Sequence, residues 1–304
     1  MYISIPRRAF LQAAGVSLLD RFVFSQSQTT DFERFAELRA NLLEMVNEER
    51  AVAKVPLVAM DEFATRVATS HATEMATHEF ASHWGRDGLK PYHRYSFAGG
   101  TEATQENVSA ADNTWSSKMS DLKQDTSYLH LRMYQETPPN DGHRKAILAP
   151  QHTHVGFGIA LDKLRLRVVE LFLARYIEVK PLPRVMKPKS EFVFAAKVMK
   201  RGLFFNHVEV FYEPLPTPPE LSWLREARSY ALPDDSMRLR PKVPPPYMYS
   251  DRTSGDVQIN LDGSFNAPIK LYNDKPGIYT IVVWMKRNAD EKAFPATEVC
   301  IRAE

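Results

Sequence analysis

Apolar residues near the start of the chain recur at helical spacing. Phe32, Phe35, Leu38, Leu42, Met45 and Val46 are separated by acids and arginines, which predicts one amphipathic helix ending before Val55-Pro56. A second helix is predicted to begin at Asp61, a residue type that caps helix N-termini. It places Phe63, Val67, His71 and Met75 on one face, where His71 reads as a packed core residue. From Ser82 to Gly100, glycine, proline, aromatic and charged residues mix, the texture of a long structured loop; Glu106 to Pro139 reads as mixed helix and loop. His154–Leu161 and Leu166–Ile177 then read as an antiparallel strand pair joined near Asp162-Lys163. Helix, helix, loop, helix, strand, strand is the order of an α+β layered domain.

Beyond Lys180-Pro181-Leu182-Pro183 the pattern changes to short strand-like runs: Glu191–Val198, His207–Tyr212, Asp256–Leu261, Ser264–Leu271, Gly277–Lys286 and Thr297–Arg302. Asp262-Gly263 and Lys275-Pro276-Gly277 supply turn chemistry between them. This predicts an all-β, immunoglobulin-like sandwich. A proline-rich excursion from Pro214 to Tyr249 is expected to wrap that sandwich as a long loop, since proline cannot donate to a ladder. The boundaries that follow are 1–28 for an N-terminal leader, 31–180 for the α+β domain, 181–189 for a linker and 190–304 for the β domain.

The leader is read from Arg7-Arg8 followed by Phe10-Leu11 and a modest apolar stretch, which resembles a twin-arginine export signal, with the mature chain starting near Gln26 to Asp31. Secretion or a periplasmic location is the expectation. No later stretch is long and apolar enough to span a bilayer. The formal net charge of +2 and the lack of a basic run interleaved with aromatics argue against nucleic acid as a partner. Cys300 is the only cysteine, in a strand-like run, and reads as a buried structural thiol.

Candidate chemistry lies in the middle of the chain. His83, Glu106, Glu136 and His143 are two imidazoles and two carboxylates that, if brought into one cavity, would hold a divalent cation such as zinc and leave positions for water. The carboxylates would either ligate directly or fix the imidazole tautomers from behind. No local H-x-x-x-H or C-x-x-C signature groups them, and the chain has nine histidines. His78, His93, His130, His152, His154 and His207 read as surface, cap or packing residues. Trp84 and Tyr92 read as cleft walls.

The series His83, Arg94-Tyr95, Gly99-Gly100, Glu106-Asn107, Gly142-His143-Arg144 and Thr153-His154-Val155-Gly156-Phe157-Gly158-Ile159-Ala160 resembles a bacterial-type domain of the CAP superfamily, the cysteine-rich secretory, antigen 5 and pathogenesis-related (SCP-like extracellular) proteins. The resemblance runs from about Phe35 to Tyr176 and implies an α-β-α sandwich with a large cleft holding a His-Glu-Glu-His tetrad. On it His83, Glu106 and His143 map directly; Glu136 and Asp141 compete for the fourth place. Disulfides of eukaryotic relatives are absent, and Arg144 stands where an aromatic residue often follows the second histidine.

Three functional readings follow. The first is a secreted binding module whose cleft takes a divalent metal and a small or lipidic ligand. The second is a metal-dependent hydrolase of peptide or ester bonds, with Glu106 or Glu136 as general base. The third is a carbohydrate- or cell-surface-binding protein acting through the β domain, with Trp223, Tyr247 and Tyr249 as its aromatics.

Overall fold

The computed structural model describes residues 33–304 apart from 115 and 201. The expected twin-arginine leader falls outside the described residues. Among them, no helix is long and apolar enough to cross a membrane.

The first unit is a four-stranded sheet between two helical layers. The sheet has the order β1-β3-β4-β2, with β1 Ala59–Met60, β2 Ala103–Ala111, β3 His154–Asp162 and β4 Arg165–Ala174. Strand alternation sends the two sides of each strand to different partners. Val155, Phe157 and Ile159 of β3, with Val168 and Phe172 of β4, join α1 (Ala36–Val52), α4 (Met119–Tyr134) and α5 (Gly142–Leu148) in one core. Ala160 of β3 and Val169, Leu171 and Leu173 of β4 face the other way, onto α2 (Glu62–His78).

Asp61 caps α2 as expected, its carboxylate accepting from the Ala64 N–H at 2.7 Å. Ala64, Ala68 and Ala72 give α2 a stripe of methyl groups, and Gly156 and Gly158 of β3 lie against it. A Cβ at Gly158 would stand 2.2 Å from the Ala68 backbone. Helix and sheet can approach this closely only because one side has no side chain and the other has almost none.

Two elements differ from the sequence expectation. A helix, α3 (Pro91–Phe97), forms inside the expected long loop, with Pro91 pre-set for the first helical turn. Glu106 lies on a strand and not in mixed helix and loop. β2 reads as polar (Ala-Thr-Gln-Glu-Asn-Val-Ser-Ala-Ala), yet it pairs with β4 through nine consecutive residues. Its strand character comes from that partner and not from its own composition.

The second unit is all-β, with two sheets over one core. One has the order β10-β11-β7-β5: β5 Ile177–Val179, β7 Glu191–Val198, β10 Gln258–Ile259 and β11 Ser264–Lys270. The other runs β6-β14-β12-β8-β9, with β6 Val185–Met186, β8 Phe204–Pro214, β9 Ser236–Leu239, β12 Gly277–Lys286 and β14 Val299–Ala303, while β13 (Phe294–Pro295) also pairs with β12. Ile177–Val179 pairs with β7, so the first strand of this unit precedes the proline-bearing connection.

The proline-rich excursion does not wrap the sandwich. Residues 215–232 lie along the first unit, where Leu224 is fully buried in the α2-side core, Trp223 meets Trp84 edge-on at 5.2 Å, and the Arg225 Nε donates to the Glu79 carbonyl at 3.0 Å. A short helix, α6 (Leu221–Leu224), carries these anchors. The apolar residues hidden among the prolines, not the prolines, decide where the segment goes. Chain then returns to β9, which pairs with β8.

Replacing Gly158 with alanine is expected to cost about 2 kcal/mol, the scale of overpacking a filled core. Gly142→Ala, where a Cβ meets nothing within 4 Å, should stay within about 0.5 kcal/mol of wild type. Equilibrium urea unfolding of both variants measures this, and equal stability of the two would contradict the close α2–β3 contact.

Candidate functional site

Glu106 sits on β2 with its side chain only 2% exposed. A carboxylate this deep needs partners on both oxygens. His83, in the loop after α2, has its Nδ1 3.0 Å from Oε1, and Arg94 on α3 donates to Oε2 at 2.6 Å. Arg94 also donates to the His83 carbonyl at 2.7 Å, so one guanidinium braces both members of the pair. Burial pushes the Glu106 pKa up, but Arg94 first and His83 next outweigh it and hold the carboxyl down to about 2.

The second pair is built by α4 and α5. Glu136, just past the end of α4, contacts His143 twice: Oε1 lies 2.5 Å from Nδ1, and Oε2 accepts from the His143 backbone N–H at 3.0 Å. The N–H is one of the free donors at the start of α5, so the carboxylate fixes both the ring and the helix end. Asp141 pairs instead with Lys145 at 2.7 Å. Arg144 donates to the Tyr134 carbonyl at 2.5 Å and lies over the Tyr134 ring at 4.3 Å, tying α5 to the end of α4. At the other end of α5, the buried Arg50 donates to the carbonyls of Ile147, Ala149 and His152.

A buried polar network couples the two pairs from beneath. Asn107, next to Glu106, donates both to the His143 carbonyl at 3.2 Å and to Glu170 at 3.0 Å. His130, fully buried, bridges Glu170 (2.6 Å) and Glu49 (3.0 Å). Burial opposes charge on this ring, but Glu170 and then Glu49 overcome it and raise its pKa to about 10.

Both pairs open onto one cavity of about 690 Å³. The second unit supplies part of its wall. Tyr230, from the 215–232 segment, meets His83 edge-on at 4.9 Å, and its hydroxyl accepts from the Glu106 backbone N–H at 2.9 Å. Glu298, immediately before β14, lines the cavity and accepts from both the N–H (2.8 Å) and the hydroxyl (3.0 Å) of Thr104.

All four residues singled out from the sequence therefore face one cavity, as two carboxylate–imidazole pairs. A carboxylate can only accept, so each Nδ1 carries a proton, and in the neutral ring Nε2 is the nitrogen with the free lone pair. Among the described residues, no group of three or more His, Cys, Asp or Glu is arranged to hold a metal ion. Tyr92 lines the cleft, whereas Trp84 packs on Trp223. His152 also lines it, stacked on Phe172 at 5.2 Å and held neutral by burial, its pKa lowered to about 3. Tyr230 and Glu298 were not singled out in the sequence; they lie more than a hundred residues beyond Glu106, and no local pattern marks them.

Residues 43–172 match the model of the cysteine-rich secretory protein family, CAP. No curated protein matches. Among solved structures, the chain is similar to an extracellular protein containing an SCP domain from Bacillus anthracis, with 20% identity and a TM-score of 0.34 over 46% of this chain and 41% of that one. It is also similar to an outer surface protein of Borrelia burgdorferi, with 16% identity and a TM-score of 0.38 over 46% of this chain and 95% of that one. The chain thus spans 41% of the length of the first of these.

Because the folded pKa of His130 is raised, to about 10, its charge favours folding fully below the unfolded value, and that contribution fades as pH rises through about 10. Ring nitrogen NMR should find His130 still an imidazolium at pH 8. A neutral His130 at that pH would contradict the bridge.

Proposed function

We propose, from the match of residues 43–172 to the CAP family model, that this unit is a CAP domain whose cleft is a binding site for a divalent cation, zinc foremost, and a small ligand beside it. The carrying observation is that both carboxylates are spent on imidazole Nδ1 atoms, which leaves the Nε2 atoms of His83 and His143 as the cleft's basic donors. This suits a cation held by two imidazoles with carboxylates behind them, the outer pattern that orients and strengthens metal-binding histidines. Glu106 and Glu136 stand behind the ligands in this reading. The remaining positions on the ion are open to water and to the ligand, which the ion would hold and polarise.

Binding is favoured over hydrolysis by the state of Glu106. A general base works best with a pKa near the working pH, and Glu106 is held to about 2 with Arg94 on its second oxygen. Glu136 is likewise committed to His143 through both oxygens. The lining mixes polar Gln105, Asn140 and Gln151 with apolar Ala103, Ala174, Leu232 and Pro295, which suits a small ligand that has both polar and apolar parts.

A role for the β unit through its aromatics has less support. Trp223 packs on Trp84, and the Tyr249 hydroxyl donates to the Pro241 carbonyl at 2.8 Å, so of these three aromatics only Tyr247, at 69%, is exposed. Two largely antiparallel sheets over one core support reading that unit as an immunoglobulin-like sandwich. Export to the periplasm or beyond rests on the Arg7-Arg8 context.

Isothermal titration of the full chain with zinc is expected to give binding in the micromolar range. His83→Ala and His143→Ala should each abolish it, while Glu106→Gln and Glu136→Gln should weaken it about 10- to 100-fold. No zinc uptake by the wild type, or unchanged affinity in both histidine variants, would overturn the metal site.

A further inference from the structure

The β unit does more than lean on the cleft. Glu298 is 5% exposed and lines the same cavity as the two imidazoles, although it lies 126 residues past the last residue matched to the family. Its Oε2 is committed to Thr104, which holds the side chain in place across the junction of the two units. Neither of its oxygens has a cationic partner among the described residues, in contrast to the other acids of the cleft. Glu106 is answered by Arg94 and His83, and Glu136 by His143.

The groups around Glu298 offer it no charge. Thr104 comes from β2, Tyr92 from α3, Tyr230 from the 215–232 segment and Cys300 from its own strand. Burial raises the pKa of both tyrosines and pushes the Cys300 thiol up to about 12, so all three are neutral at pH 7. A carboxyl sealed among neutral groups, beside a cavity large enough for a small molecule, lacks a counter-charge that a ligand can bring.

We propose that Glu298 is the cleft's recognition group for a protonated amine, so that the site is shared by the two units and its ligand is a polar, amine-bearing molecule. The inference rests on the cleft being a binding site, but not on a metal being held there. Burial raises the Glu298 pKa to about 7, so the carboxyl carries its proton more readily than an exposed glutamate does. An ammonium group seated against it would drive that proton off. Binding should therefore release protons near pH 7, and fewer at pH 8.5.

The probe pair is 5-aminopentan-1-ol and pentane-1,5-diol, which differ by one amine. Calorimetry on the full chain, repeated in buffers of different ionisation enthalpy, should show the amino alcohol binding at least about tenfold more tightly than the diol, with proton release. Glu298→Gln, which keeps the shape and an acceptor for Thr104, should remove that tenfold preference and the proton release while leaving zinc affinity unchanged. His83→Ala should do the reverse, so the two sites fail separately. Equal affinity for the amine and the diol in the wild type would overturn the proposal without depending on any variant. So would an undiminished amine preference in a Glu298→Gln protein whose circular dichroism and melting temperature match wild type.

Discussion

A buried carboxylate has to be answered on both oxygens, and much of this molecule is arranged around answering Glu106. Arg94 takes one oxygen and the His83 carbonyl together, His83 takes the other oxygen, and the strand that carries Glu106 is held by nine pairs to β4. Remove the carboxylate and three separate pieces, a strand, a helix and a loop, lose their common point. The same residue anchors the second unit, since its backbone N–H donates to the Tyr230 hydroxyl. Local charge satisfaction thus fixes the cleft wall and the placement of the segment that borders it.

The other wall follows the same logic with different parts. Glu136 holds His143 by ring and backbone, Arg50 takes the carbonyls at the far end of α5, and Asn107 links the His143 carbonyl to the buried Glu170–His130–Glu49 chain. Such a network is costly if half satisfied and stiff when complete. Here it lies beneath the cleft and ties the start of α5 to the strand that carries Glu106. The dynamics expected of the two rings are correspondingly small, which suits a site that binds by preorganised donors.

What was legible in the sequence was what local pattern can carry. The stripe Leu38, Leu42, Val46 and the cap Asp61 announce their helices, and β3 and β4 announce themselves as strand-like apolar runs joined near Asp162-Lys163. The tetrad was legible only through its ordered motifs, since nothing in the spacing of His83, Glu106, Glu136 and His143 says that they meet. β2 was illegible because its strand character is conferred by β4. The course of residues 215–232 was hidden because prolines dominate their texture while Trp223, Leu224 and Tyr230 determine their contacts. Glu298 carries no sequence signal: what sets it apart is having no cationic partner among the described residues, a property of the fold and not of the string Thr297-Glu298-Val299.

The central claim is that both imidazoles are held with Nδ1 protonated against a carboxylate, which makes Nε2 the lone-pair nitrogen of each neutral ring. Long-range nitrogen–proton NMR of the ring nitrogens of His83 and His143, in the metal-free protein at pH 8, reads this directly. The account predicts the Nδ1–H tautomer for both rings. An Nε2–H tautomer at either ring would mean that its carboxylate does not orient it, and would contradict the account.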